Sequence, residues 1–163
     1  MQNTLLPGSI VVKQQQQNAY PITLPQQSVA IGQLSLATVL ALRGANYIVG
    51  NAADVANGFA GFTSLTTALV GATAGQVVVL LNTYNTVENV IVSASSISII
   101  GMGHTSNING TFTVNGNYGS FFGFRIASSI VFNGTGSFMG HCWQATGQTI
   151  NGGVNNELVI VTE

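Results

Sequence analysis

The chain has 163 residues, enough for one domain with a hydrophobic core and too few for two comfortable ones. Only 4% of it is Asp, Glu, Lys or Arg and the net charge is −1, where roughly a quarter of an ordinary domain is charged. So few cations cannot neutralise a row of phosphates, which excludes nucleic acid as an expected partner. The charged residues are Lys13, Arg43, Asp54, Glu88, Arg125, Glu157 and Glu163. Little self-repulsion therefore keeps copies apart. Either Asn, Gln, Ser and Thr cover the surface, or the chain packs against copies of itself or a larger assembly. The second is the expectation adopted.

Residues 1–28 carry Pro7, Pro21 and Pro25, the run Gln14 to Gln17, and Gln26 and Gln27. Proline fixes φ and glutamine can hydrogen-bond a neighbouring backbone, so the segment reads as an extended arm that docks on another subunit or a partner protein. The start lacks a basic segment followed directly by an apolar core, so no signal peptide is expected. Val29 to Leu42 reads either as a helix or as a strand pair broken at Gly32 and Gln33. Its 14 residues fall short of the roughly 20 that span a bilayer, so no membrane is expected as a partner. Asn46 to Val49 reads as a strand between Gly44 and Gly50, and Asn57-Gly58 as a turn.

A helix is expected over 62–75, with Thr63 as N-cap and Phe62 stapled to its first turn. Leu65, Ala68, Leu69 and Ala72 share one face, and Gly75 is the stop. Laid across a first circuit of strands, such a helix would cover an exposed sheet edge.

From Gln76 to Gly140 the chain reads VVVLL, NVIVSASSISIIGMG, INGTFTVNG and FFGFRIASSIVFNGTG. β-branched and aromatic residues fill short runs, and Gly, Asn and Ser break them. The triplets Ile108-Asn109-Gly110, Phe132-Asn133-Gly134 and Ile150-Asn151-Gly152 recur at about one circuit of a stacked coil. The fold class that follows is all-β: a short right-handed parallel β-helix with an N-terminal capping helix and an extended arm. Residues 1–61 form the arm and linker, and residues 62–163 the β-helix domain. Four or five circuits would stand roughly 20–25 Å tall. Ile91, Ile97, Ile99, Val114, Phe122, Phe124, Ile130 and Phe132 are the expected inward or subunit-facing residues. Asn109, Asn133 and Asn151 either stack as an internal ladder or mark turns. The Asn-Gly-Thr sequons at Asn109 and Asn133 fit glycosylation or simple turns equally well. Glu157 to Thr162 reads as a closing strand.

The stretch FTSLTTALVGATAGQVVVLLNTYNTVENVIVSASSISIIGMG resembles the opening of pectin-lyase-like right-handed β-helices. There a capping helix, a glycine turn and a strand precede circuits ending in ISIIG-type strands. Over about residues 59–140 the chain is most similar to small Gly/Asn-rich β-helices of phage tail fibres, tailspikes and capsid decoration proteins. The resemblance implies a virion location on the capsid surface.

No chemistry assembles along the sequence. Polysaccharide cleavage on such folds needs clustered carboxylates, and Asp54, Glu88, Glu157 and Glu163 are scattered. Arg125 can reach Glu88 or Glu157 by stacking, which reads as a structural salt bridge. Cys142, the only cysteine, stands between His141 and Trp143, and strand neighbours point to opposite faces. It reads as a buried structural thiol. His104 and His141 do not make a metal site. Gly101-Met102-Gly103 follows a strand but opens no helix, so no phosphate loop is expected. Catalytic residues, cofactor and metal are all expected to be none.

The functional expectation is a non-enzymatic, homotrimeric decoration or cement protein. It would clasp the major capsid protein or other virion subunits through residues 1–28. The alternative is a short tail fibre or tailspike piece binding a host-surface glycan through Trp143, Tyr84, Tyr118, Phe121 and Phe122. A secreted carbohydrate-active enzyme is a third, disfavoured possibility.

Overall fold

The computed structural model describes residues 44–145 and 148–162. The arm at 1–28 and the ambiguous stretch 29–42 lie outside them. Within the described residues the strands stack as a parallel β-helix of about four turns. Each circuit contributes short strands to three parallel ladders. The first ladder is β1 (Tyr47–Val49), β2 (Val77–Leu80), β5 (Ser98–Gly101), β8 (Ser120–Phe122), the start of β11 (Phe138–Gln144) and β13 (Glu157–Thr162). The second is β3 (Asn85–Thr86), β6 (Asn107–Ile108), β9 (Arg125–Ile126) and the end of β11. The third is β4 (Val90–Val92), β7 (Phe112–Val114), β10 (Ile130–Phe132) and β12 (Ile150–Asn151). β11 passes from the first ladder to the second at His141, where φ is 51° and the register shifts.

The strand read at Asn46 to Val49 is present as β1. The stacked strands thus begin ahead of the boundary expected at residue 62. What adjoins β1 on its other edge falls outside the described residues. Between β1 and β2 lie two short helices, α1 (Ala52–Ala56) and α2 (Leu65–Val70). Asn51 and Asp54 cap α1 reciprocally.

The helix expected over 62–75 is shorter than its apolar spacing suggested. Ser64, not Thr63, is the N-cap, its Oγ accepting from the Thr67 N–H at 3.1 Å. Gly71, not Gly75, is the C-cap. Gly75, at φ 86°, instead turns the chain into β2. Phe62 bridges to Val49 and sets its ring 5.7 Å from that of Tyr47. The apolar face was legible: Leu65 and Ala68 are buried, Leu69 and Ala72 partly so. The helix packs against β1 and β4, the first described strands of their ladders.

The inside is apolar because each short strand turns alternate residues inward. Phe112 sets its ring 5.3 Å from Phe121 and 5.5 Å from Phe124, and Phe121 lies 5.9 Å from Phe132, all edge-on. Ile97, Ile99, Val114, Phe124, Ile130 and Phe132 are buried as expected. Ile91 and Phe122 turn outward, because β4 directs Val90 and Val92 inward and β8 directs Phe121 inward.

Circuit length varies at one corner. Between β5 and β6 the chain spends residues 102–106, whereas 123–124 suffice between β8 and β9. Buried Ser106 fixes the longer corner. Its Oγ accepts from the Met102 N–H at 3.1 Å and donates toward the carbonyls of Leu80 and Leu81, 3.2 and 3.0 Å away. That corner lifts His104 and Thr105 into solvent.

Candidate functional site

The residues that could have carried chemistry are each taken up by the fold. Cys142 is fully buried, its Sγ 3.8 Å from the Phe121 carbonyl, and burial pushes the thiol up to about 11. His141 beside it points outward. Asp54 caps α1 and accepts the Thr83 hydroxyl, which ties α1 to the corner before β3. Glu88 accepts from the N–H groups of Leu65 and Thr66 at 2.9 and 3.0 Å and from the Ser64 hydroxyl at 2.8 Å. The Tyr84 hydroxyl also donates to it. Glu88 therefore closes the first turn of α2 rather than meeting Arg125. Glu157 stands in the first ladder opposite Phe138, and Arg125 in the second between Asn107 and Trp143. Among the described residues no three His, Cys, Asp or Glu side chains gather into a metal-holding group, and no helix is long and apolar enough to cross a membrane.

Two outer surfaces remain as candidates. The first is an apolar stripe on the first ladder. Ile48, Val79, Ile100, Phe122, Gly140 and Val159 are successive register partners. The chain covers the upper two itself: Ile48 and Val79 pack with Ala60 and Leu81. Below them Ile100 is 41% and Val159 54% exposed. Phe122 and Phe138 lie between them, their rings tilted by 40° with centroids 5.2 Å apart. The Phe138 ring lies across Gly140, where a Cβ would have to push it aside.

The second is a polar cleft of about 500 Å³ on the second ladder. Asn85, Asn107 and Arg125 form its floor, and Asn82, Thr83, His104 and Thr105 its walls. Asn107 Nδ2 donates to Asn109 Oδ1 at 2.9 Å and to Asn85 Oδ1 at 3.2 Å, and Arg125 Nη1 lies 3.4 Å from Asn107 Oδ1. Trp143 continues the same column, and its ring meets that of His104 edge-on at 5.3 Å.

These positions sort the residues named for sugar stacking. Tyr84 and Phe121 are fully buried in the core and offer no face to a ligand. Phe122 belongs to the apolar stripe. Tyr118 is 66% exposed but sits at the opposite corner, its ring over Gly136. Trp143 alone borders a polar cleft.

Compared with models of protein families, with curated proteins and with solved structures, the chain matches none.

The asparagine triplets proved to be two devices. Asn133 Nδ2 donates to Asn115 Oδ1 at 2.8 Å on the third ladder, whereas Asn109 joins Asn85 and Asn107 on the second. Asn151 lies opposite Val131, out of line with both. Asn109, Asn133 and Asn151 therefore form no common column, and the ladders that do form run along the outside. The cleft itself had no local signal: its floor and Trp143 come from four circuits and share no motif.

Proposed function

We propose that the chain is a non-enzymatic structural protein that associates laterally into a homotrimer, as a capsid decoration or cement subunit would. Residues 1–28 serve as the arm that clasps a major capsid protein. The observation that carries this reading is the stripe from Ile100 through Phe122 and Phe138 to Val159. The protein screens the upper end of that column with its own α1 segment and leaves the lower rungs bare. Contiguous apolar surface of this kind is rare on a protein that remains alone in water. The scarcity of charge points the same way, because few like charges oppose close approach of copies. A closed cyclic assembly would bury one such stripe per subunit. Fixed carboxylates also support a non-enzymatic role: Asp54 and Glu88 are committed to helix ends.

Sedimentation equilibrium of the full chain tests the reading. A mass near three times 16.8 kDa is expected, and Phe122→Ser with Val159→Lys should return the monomer. A wild-type chain that stays monomeric at high concentration removes the basis for lateral assembly. Copy number in purified particles then separates a decoration subunit, present in hundreds, from a tail piece present in a few.

A further inference from the structure

The chain carries five Asn-Gly pairs, at Asn57, Asn109, Asn115, Asn133 and Asn151, and the fold treats them differently. Asn-Gly is the pair at which an asparagine most readily loses its side-chain amide. Glycine has no Cβ to block the approach of its own N to the preceding side chain, and its backbone turns freely. The reaction needs a glycine N–H without an acceptor, an amide not held elsewhere, and a backbone with room to turn. Three pairs fail on room. Gly110, Gly116 and Gly134 are buried, and the carbonyl oxygens of Glu88, Ala94 and Gly116 stand where a Cβ would go. The Gly116 and Gly134 N–H groups are also committed, to the Val92 and Val114 carbonyls at 3.1 Å each. Asn109 and Asn133 spend their amide N–H on Asn85 and Asn115. The fourth pair closes α1. There the Gly58 N–H donates to the Val55 carbonyl at 3.1 Å, and Asn57 Nδ2 donates to the Ala53 carbonyl at 2.8 Å.

Asn151-Gly152 meets all three conditions. Asn151 is exposed on β12, which pairs with β10 alone among the described residues. Gly152 is not buried, and a Cβ there would meet only Leu158 side-chain atoms. Among the described residues neither the Gly152 N–H nor Asn151 Nδ2 has an acceptor. The Asn151 side chain makes one hydrogen bond, its Oδ1 accepting from the Gly153 N–H at 3.1 Å. This turn folds the amide back over the intervening Gly152 peptide, bringing Cγ toward the Gly152 N and polarising the amide carbonyl. We infer that Asn151-Gly152 is a site of spontaneous deamidation, at which the folded chain reacts with water ahead of the other four pairs. The Gly152 N loses its proton to solvent base and attacks Asn151 Cγ, closing a five-membered succinimide. The Cγ–Nδ2 bond breaks, and Nδ2 leaves as ammonia with a proton from water. A second water opens the ring. Cleavage between Cγ and N gives aspartate, and cleavage between the main-chain carbonyl carbon and N gives isoaspartate. Either product adds a carboxylate to a chain whose net charge is −1. Isoaspartate also lengthens the backbone by one carbon, which the pairing of Asn151 with Val131 cannot absorb.

Incubation of the full chain in mildly alkaline buffer, followed by an acid quench and peptic mapping by mass spectrometry, tests this. Phe59, Phe112, Phe121 and Phe138 fall between successive pairs, so each pair reports in its own peptide. In the native protein Asn151 should convert at least about tenfold faster than Asn115 and Asn133, a barrier difference of about 1.4 kcal/mol. In concentrated urea, where the fold no longer selects, the five pairs should react at similar rates. Gly152→Ala puts a methyl beside the attacking nitrogen and should slow conversion at Asn151 by at least about tenfold. Asn151→Gln should remove the earliest acidic species seen on ion exchange. Circular dichroism establishes that both variants are folded. Native conversion at Asn151 that is undetectable, or no faster than at the other four pairs, overturns the inference. An equal lead for Asn151 in urea overturns it too, because the selectivity would then lie in the local sequence and not in the fold.

Discussion

Glu88 shows how one side chain can be both the most polar feature of a region and a purely architectural one. It is half-buried, and burial by itself would raise its pKa. The hydrogen bonds from Thr66, Tyr84 and Ser64 outweigh that and hold the carboxyl below its ordinary value. Those donors exist because α2 begins at Leu65, so its first N–H groups have no partner within the helix. A carboxylate whose pKa is lower folded than unfolded contributes stability above the ordinary glutamate range. That contribution is lost as pH falls through about 4 and below. Tyr84 is linked to the same group: burial first, then the Glu88 hydrogen bond and charge, push its phenol far up, so it stays a donor. Glu88→Gln should therefore lower the melting temperature at pH 7 and flatten its dependence between pH 3 and 5. Glu88→Ala strands the Tyr84 hydroxyl in the core as well and should cost about 1–3 kcal/mol. Thermal melts across that pH range check both. If Glu88→Gln follows the wild-type acid profile, the carboxylate is not the linked group.

At the scale of the element, the asparagine-glycine triplets explain what the sequence could disclose. Gly134 is buried where the chain turns out of β10, and a Cβ there would collide with the carbonyl oxygen of Gly116 one circuit above. Gly116 in turn lies on the carbonyl of Ala94. The glycine is required by stacking of backbone on backbone. Gly152 occupies the same place in its own triplet, yet a Cβ there would meet only Leu158 side-chain atoms at an ordinary 3.7 Å. Gly134→Ala should thus cost about 1–3 kcal/mol and Gly152→Ala less than about 0.5 kcal/mol, measured by denaturant unfolding. Equal effects would refute the register. The parallel coil, β1 and the buried face of α2 were legible because apolar runs, breakers and near-circuit repeats are local signals. Which residues of a three-residue strand face inward was not. Parity in so short a run depends on where the preceding corner ends, and that is why Ile91 and Phe122 emerged outside. The cleft was illegible for a related reason. Asn85 to Asn107 is a longer step than Asn107 to Arg125 or Arg125 to Trp143, because the 102–106 corner is held out by buried Ser106. An uneven period hides a column that a strict repeat would have revealed.

As a whole the described residues form a quasi-one-dimensional object, in which each circuit touches chiefly the one above and the one below. Stability should then vary along the axis. Central strands β5 and β8 have partners on both sides, and Ile99 and Phe121 within them are fully buried. At the other end β13 pairs only with β11 among the described residues, and Leu158 and Ile160, which pack on the core, are only partly covered. Native-state hydrogen exchange should therefore be slowest for the ladder amides of β5 and β8 and distinctly faster for the β13 amides that bond to β11. The gradient also discriminates modes of association. Lateral packing through Ile100, Phe122 and Val159 buries side chains without adding a strand, so it should leave the edge of β13 open and the gradient intact. End-to-end stacking would instead give β13 a second partner and raise its amides to the protection of β5. Exchange measured on the assembled protein with uniform protection from β5 through β13 would exclude the lateral trimer in favour of end-to-end stacking, even if the mass in solution were that of three chains.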